Sequence, residues 1–142
     1  MSEAFELDAR LAADCIRVGR LSLSILLLLN DARYPWYVLV PQRHGINEVF
    51  QLPEADQQQL WRESAKLAEH LVQSFHADKI NIGALGNLVP QLHIHHIARF
   101  RSDPAWPGPV WGHSKAVPYE KHGITERVGM ACDWFGDELS VL

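Results

Sequence analysis

The sequence is poor in cysteine and has no excess of positive charge. Its two cysteines, Cys15 and Cys132, form neither a CxxC pair nor a zinc-type spacing. Two isolated cysteines indicate a reducing, cytoplasmic setting rather than a disulfide-stabilised fold. Lysine and arginine number 13 against 17 acidic residues, which gives a net charge of -4. Because a nucleic-acid-binding protein needs a basic face, this balance argues against a nucleic-acid partner.

Long apolar runs are also missing. The longest is ILLLL at 25–29, whereas a membrane-spanning helix needs about 20 apolar residues. The start, MSEAFELDAR, lacks the basic and then apolar order of a signal peptide. We therefore expect no membrane partner. A chain of 142 residues predicts one domain over 1–142, with a core at about 20–100 and a tail rich in proline and tryptophan at 101–142.

The hydrophobic period changes three times along the chain before the tail, from helix to strands, back to a helix and again to strands. The stretch 6–15 predicts a short first helix. The apolar runs at 21–29 and 36–42 are joined by the turn-prone NDARYP, which favours an antiparallel hairpin, although the leucines of the first run would also suit a helix. After a loop, apolar residues of 54–75 fall on one face of a long helix.

The second half predicts another pair of strands, KINIGALG at 79–86 and QLHIHHIARF at 91–100. Three prolines exclude regular structure from 101–112, and 119–135 predicts a last helix that two glycines weaken. Hairpins around one long helix give an α+β domain with an antiparallel sheet. Such a small sheet often completes its core by pairing with a copy of itself, so we expect a homodimer.

Three of the eight histidines fall within four positions of the last predicted strand. Side chains alternate along a strand, about 6.6–7 Å apart at two-residue steps. One face therefore carries Gln91, His93, His95 and Ile97. The other carries Leu92, Ile94, His96 and Ala98 and should pack on the core. Two imidazoles on one face can converge on one small group and divide nucleophilic attack from proton donation.

Three interpretations of His93 and His95 compete. They are surface residues of a solvated sheet face, ligands of a metal, or catalytic groups acting on phosphorus. Zinc would need a third ligand, which a distant acidic residue or His113 would have to supply. His96, on the opposite face, is interpreted as a core or sheet-edge histidine.

The preceding stretch NIGALGNLVP favours phosphorus chemistry. Gly83 and Gly86 frame a turn that ends in Asn87, and glycines let backbone N–H groups approach a phosphate closely. Asn81 and Asn87 add neutral donors. A glycine-rich turn is often only a turn, but this one stands directly before the histidine pair.

The stretch NIGALGNLVPQLHIHHIAR resembles the signature of the histidine triad (HIT) family, a glycine turn followed by His-φ-His-φ-His-φ-φ, where φ is apolar. The strand–turn–strand at 26–44, with its Pro-x-x-His ending, and the helix at 54–75 are similar to the same family. The resemblance covers most of 20–100. The tail motif DPAWPGPVWG is similar to a bacterial branch often described as diadenosine tetraphosphate hydrolase-like. The family implies a five-stranded-type antiparallel sheet.

The register of the motif decides which histidine has which role. Anchoring on HIAR would place the third triad position at His96 and lose the other two histidines. Anchoring on Gly86 and the φ-φ-x-Arg ending places the triad at Gln91, His93 and His95 instead. The resemblance then implies that His93 is the nucleophile and that His95, protonated, stabilises the phosphate and assists the leaving group. Gln91 replaces the first histidine.

Further positions carry over from the family. Asn30 resembles its ribose-contacting asparagine, with a turn-starting residue as the alternative, and His44 resembles a pocket histidine, with a loop residue as the alternative. Trp106 and Trp111 would stack on a base, seal a dimer interface or simply pack. Arg99 and Asp103 are expected to form a structural pair or to be solvated charges.

These features predict a hydrolase or transferase of purine nucleotide phosphoanhydrides or phosphoramidates, such as dinucleoside polyphosphates, acting through a nucleotidyl-His93. The predicted nucleotide-binding residues are Asn30, His44, Asn81, Gly86, Asn87 and Gln91. No cofactor is required, because a covalent histidine intermediate needs no metal in principle; zinc or magnesium is compatible with the site but is not predicted. The rivals are a nucleotide-binding protein without turnover and a metal-binding protein.

Overall fold

A five-stranded antiparallel sheet lies at the centre of residues 4–142, which are the residues described by the computed structural model. The elements in chain order are α1 (Ala9–Asp14), β1 (Cys15–Arg20), β2 (Ser24–Leu29), β3 (Trp36–Pro41), a 3-10 turn (Val49–Gln51), α2 (Glu54–Phe75), β4 (Lys79–Gly83), β5 (Ile94–Arg99), α3 (Lys121–Phe135) and a second 3-10 turn (Gly136–Glu138). The strand order is β1-β2-β3-β5-β4. The predicted α+β class with one long helix is confirmed. The first three residues of the predicted domain lie outside the described part.

The sequence pattern alone finds four strands and misses β1. Residue 15 was assigned to the first helix, but that helix ends at Asp14 and the chain continues directly as an edge strand. β1 is irregular, because its register with β2 shifts between Arg17 and Gly19. A Cβ at Gly19 would lie 2.7 Å from the carbonyl oxygen of Ser140, so only glycine allows the C-terminal segment to pair there. A bulge and a glycine disguise the alternation that identifies a strand.

Alternate residues of the strands point to opposite faces of the sheet and belong to two separate apolar layers. The first layer packs against α2 and α3 and contains Leu26, Leu28, Tyr37, Leu39, Ile94 and Ala98 from the strands. The second packs against α1 and the proline-rich segment and contains Ile25, Leu27, Trp36, Val38, Val40 and Ile97. Both faces of the central strands are therefore buried, which explains why ILLLL is apolar throughout and does not alternate.

Most of the other predicted elements are present. α2 has the predicted bounds, and α3 confirms the last helix. β5 begins at Ile94 and not at Gln91, so Gln91 and His93, which were predicted to share a strand face with His95, precede the strand. No helix in residues 4–142 is long and apolar enough to cross a membrane.

Candidate active site

His93 and His95 lie side by side on the sheet face that bears α1 and the proline-rich segment. β5 runs between β3 and β4, and His95 is opposite Val38 on one side and Gly83 on the other. The centroids of the two imidazole rings are 5.0 Å apart. His93 is 6% exposed and His95 is 7% exposed. The interpretation of the pair as solvated surface residues is therefore wrong.

The main chain determines which nitrogen of His93 carries a proton. Its Nδ1 lies 2.8 Å from the carbonyl oxygen of Gln91. A carbonyl only accepts, so Nδ1–H must donate to it. In the neutral ring the other nitrogen, Nε2, then has an unshared electron pair. His93 is thereby prepared as a nucleophile or a base at Nε2.

His95 has the opposite arrangement. The Nε1–H of Trp36 donates to His95 Nδ1 over 2.9 Å. An indole N–H is only a donor, so Nδ1 accepts and the proton of the neutral ring lies on Nε2. Burial, with a smaller contribution from the neighbouring His93 and His96, lowers the pKa of His95 to about 3. His95 is consequently neutral at pH 7, whereas the family resemblance implied a protonated ring.

His96 lies on the opposite face, as its alternation predicted. It is fully buried, its Nδ1–H donates to the carbonyl oxygen of Ile94 over 3.0 Å, and its Nε2 accepts from the hydroxyl of Ser64 on α2 over 2.7 Å. Burial lowers the pKa of His96 to about 4. A neutral histidine with both nitrogens bonded is a structural part of the helix–sheet contact, and it cannot replace a triad histidine.

The proline-rich segment brings Trp111 to the site. Trp111 packs edge-on against His95 with ring centroids 5.6 Å apart. A Cβ at Gly83 would come within 3.1 Å of the Trp111 ring, so a side chain here would push the ring outwards by a few tenths of an ångström. The segment is attached to β5 by Arg99, which is 1% exposed and forms two hydrogen bonds to Asp103. Arg99 and Asp103 are thus a buried structural pair and not solvated charges.

An open pocket of about 520 Å³ adjoins the two histidines. Its volume lies within the range of small-molecule sites. Its walls come from α1, the end of β2, the glycine turn and the proline-rich segment, and consist of Arg10, Leu11, Asp14, Leu29, Leu85, Asn87, Leu88, Val89, His93, His95 and Trp111. Sequence reasoning missed Trp36 and the α1 residues, because neither carries a local signal: their proximity depends on strand register and helix docking.

Some of the predicted nucleotide-binding residues surround this pocket and others do not. Asn87 lines it, while Gly86 lines a smaller adjoining depression together with Gln91 and His93. His44 lines a separate depression beside Gln91. Their predicted roles in nucleotide binding stay predictions.

The two other predicted asparagines already bond to protein groups. The Oδ1 of Asn30 accepts from the backbone N–H of Tyr119 over 2.9 Å, and the Oδ1 of Asn81 accepts from Arg99 over 2.7 Å. Each therefore has a structural contact that the sequence did not reveal. Asn81 in particular belongs to the cluster that attaches the proline-rich segment.

Gln91, at the first triad position, fixes the N-terminal segment. Its Oε1 accepts from the backbone N–H of Asp8 over 2.9 Å, and its Nε2 donates to the carbonyl oxygen of Glu6 over 2.8 Å. Only its main-chain oxygen bonds to His93. Replacing histidine by glutamine thus changes the side-chain contacts of this position and leaves the orienting bond to His93 in place.

The geometry gives the metal interpretation little support. Among the described residues 4–142, no group of three His, Cys, Asp or Glu side chains could hold a metal ion. His93 and His95 therefore have no third ligand of these types nearby. Zinc bound by protein side chains normally has at least three.

The chain matches the HIT domain family model over residues 10–102. A histidine triad protein from Marinobacter aquaeolei VT8 is 44% identical, with a TM-score of 0.93 over 96% of this chain and 99% of that one. A histidine triad protein from Sinorhizobium meliloti 1021 is 48% identical, with a TM-score of 0.89 over 91% of this chain and 96% of that one. A third, from Bradyrhizobium japonicum, is 42% identical, with a TM-score of 0.88 over 90% and 96%. No curated protein matches the sequence.

Proposed function

Because the chain belongs to the histidine triad (HIT) family, we propose that it is a nucleotidyl hydrolase or transferase acting on phosphoanhydrides or phosphoramidates of purine nucleotides, such as dinucleoside polyphosphates. One observation carries the proposal: two neighbouring buried imidazoles have opposite tautomers. His93 has its unshared pair on Nε2, and His95 has its proton on Nε2. Such a pair provides a nucleophile and a hydrogen-bond donor without rearrangement.

The proposed reaction has two steps at the α-phosphorus. His93 Nε2 forms a bond to phosphorus while the bond to the leaving group breaks, and the product is a nucleotidyl-histidine. A water molecule then forms a P–O bond and loses a proton to the solvent, the P–N bond breaks with its electron pair returning to His93 Nε2, and a nucleoside monophosphate leaves. In a transferase another acceptor takes the place of water. His95 Nε2–H donates to a phosphate oxygen in both steps.

The surroundings supply suitable groups for the rest of a nucleotide. None of the backbone hydrogen bonds that hold the described loops uses an N–H group of residues 85–89, and we propose that amides of this turn bind phosphate oxygens. Arg10 lines the pocket as a cation, while Leu11 and Leu29 offer apolar surface for a nucleoside. These features favour nucleotide binding in the pocket beside His93 and His95.

Two further parts of the proposal concern assembly and location. β4 is an edge strand with an exposed Ile82, whereas the outer side of β1 is bonded to Ser140. An open edge strand is a template for pairing, which supports a homodimer; light scattering at several concentrations would reveal its mass. Cys15 and Cys132 are unpaired, which fits a reducing cytoplasm.

The test is to trap the covalent intermediate. The wild type and His93→Ala are mixed briefly with diadenosine tetraphosphate and quenched in base, and the intact mass of each protein is measured by mass spectrometry. We expect an acid-labile adduct of the mass of AMP on the wild type and none on the variant. Ser64→Ala is the matched control, because it changes a contact on the opposite sheet face and should keep the adduct.

The rivals give different results in the same experiment. Nucleotide binding in a titration, with neither adduct nor released AMP, would indicate a binding protein without turnover. Stoichiometric zinc that survives a mild chelator wash would instead favour the metal-binding protein. AMP released equally by wild type and His93→Ala would rule out His93 as the nucleophile.

A further inference from the structure

Two tryptophans pack against His95 in nearly the same way. The ring centroids of Trp36 and Trp111 each lie 5.6 Å from that of His95, with interplanar angles of 66° and 71°. Only Trp36 also forms a hydrogen bond to it, from Nε1–H to Nδ1 over 2.9 Å. The Nε1 of Trp111 is buried and has no hydrogen-bond partner among the described residues. The two side chains therefore differ in one contact that bears on the protonation of His95.

The hydrogen bond from Trp36 opposes a positive charge on His95. A protonated His95 would carry a hydrogen on Nδ1, and that N–H would face the N–H of Trp36 across the same 2.9 Å. The indole cannot accept a hydrogen bond, and His95 is too buried for water to relieve the conflict. A bound phosphate would favour the charged ring, but protonation would still leave a buried donor without an acceptor.

None of the neighbouring charged groups in the described residues forms a hydrogen bond with His95. The titratable side chains around His95 are His93 and His96 on its own segment and, lining the same pocket, Arg10 and Asp14 of α1. Val38 of β3 and Gly83 of β4, which flank it in the sheet, do not ionise. Within residues 4–142, the side chain of His95 has one hydrogen bond, and it comes from Trp36.

A neutral His95 can assist the cleavage of phosphoanhydrides but not that of phosphoramidates. Its Nε2–H can donate a hydrogen bond to a phosphate oxygen, but it cannot give up the proton, because that would leave an imidazolate. When a phosphoanhydride is cleaved, the leaving phosphate takes the bonding electrons and departs as an anion; its second pKa is about 6. When a phosphoramidate is cleaved, the leaving nitrogen must gain a proton as the P–N bond breaks, because without it the group would depart as an amide anion, a far stronger base than a phosphate.

Building on the proposed function, we propose that Trp36, acting together with the burial of the ring, is a positioning residue that keeps His95 a neutral hydrogen-bond donor and thereby selects phosphoanhydrides over phosphoramidates as substrates. His95 therefore cannot supply the proton that an amine leaving group needs. His93 cannot supply it either, because its Nε2 is bonding to phosphorus. The preference therefore follows from a side chain that has no need to touch the substrate.

The experiment compares Trp36→Phe with Trp111→Phe. Both variants remove an indole from the edge of His95, but only the first removes a hydrogen bond to it. The values of kcat/KM for diadenosine tetraphosphate and for adenosine 5′-phosphoramidate are measured from pH 5 to pH 8. We expect the wild type and Trp111→Phe to prefer the anhydride at every pH. In Trp36→Phe the ratio of phosphoramidate to anhydride activity should rise by about tenfold or more towards pH 5.5, where general acid catalysis becomes accessible.

A second measurement does not depend on activity. In ¹⁵N-histidine-labelled wild type, with and without AMP, His95 should show the Nε2–H tautomer and no titration between pH 5 and pH 8. In Trp36→Phe with AMP bound, it should begin to titrate. The wild-type spectrum tests the tautomer even if the variant fails to fold.

Three results would overturn the proposal. One is a wild-type His95 that titrates near its ordinary pKa, and another is an equal change of substrate ratio in the two variants. The third is a wild type that cleaves neither substrate, which would refute the proposed function together with the substrate preference. In that case the NMR titration would still decide whether Trp36 determines the tautomer.

Discussion

Two arginine–aspartate pairs have almost the same geometry and very different burial. Arg99 donates to Asp103 over 2.8 and 3.0 Å, and Arg43 donates to Asp56 over 2.8 and 3.1 Å. The side chains of the first pair are 2% and 3% exposed, and those of the second are 45% and 19% exposed. Replacing each aspartate by asparagine removes the same charge, so the difference between the two variants measures the effect of burial.

The magnitude follows from what Asp103 accepts. Besides the two bonds from Arg99, its oxygens accept from the backbone N–H groups of Phe100 over 3.0 Å and Trp106 over 2.8 Å. Asparagine keeps one accepting oxygen, and its NH₂ group would face two of these donors. Removing one partner of a buried ion pair costs about 3–5 kcal/mol of unfolding free energy. An exposed pair contributes about 0.2–1 kcal/mol.

Urea unfolding followed by circular dichroism measures both values. With a denaturant slope of about 2 kcal/mol per molar, Asp103→Asn should lower the midpoint by roughly 2 M, and Asp56→Asn by less than about 0.5 M. Activity should fall in Asp103→Asn as well, because the pair attaches the segment that carries Trp111. If the two variants lost equal stability, burial of the Arg99 pair would not be the cause.

Two further predictions concern stability and the first triad position. Burial lowers the pKa of His70 to about 4, below the unfolded value of about 6.5, so the unfolded state binds the extra proton and stability is lost as pH falls from about 6.5 to 4. Between pH 7.5 and pH 5, the unfolding free energy of His70→Phe should therefore fall by about 2 kcal/mol less than that of the wild type, measured by urea unfolding. An equal fall in the two proteins would contradict the assigned pKa. Gln91→Ala should speed hydrogen exchange at Asp8 and cost about 1–2 kcal/mol, yet reduce kcat/KM less than tenfold, because the main-chain bond to His93 persists. A loss as large as that of His93→Ala would show that the Gln91 side chain acts in catalysis.

The elements that sequence alone predicted are those with a sustained period. The apolar spacing of 54–75 repeats over 22 residues of helix, and the HxH alternation correctly sends His96 to the face opposite His95. Such patterns depend on neighbours in the chain, so they are readable without the fold. β1 was missed because a register shift between Arg17 and Gly19 interrupts its period. The isolated bridge from Arg20 to Ser140, near the other end of the chain, is likewise not visible in the local sequence.

The sequence by itself determined the fold class, the long helix and the pair of histidines that identifies the family. The tertiary structure decided what those histidines can do. The proton of His95 lies on Nε2 because Trp36, on a different strand, donates to the other nitrogen, and Asn30 is bonded to Tyr119 from the far end of the chain. Periodicity is a local property of the chain, whereas a hydrogen-bond partner is fixed by strand register and by how distant segments dock.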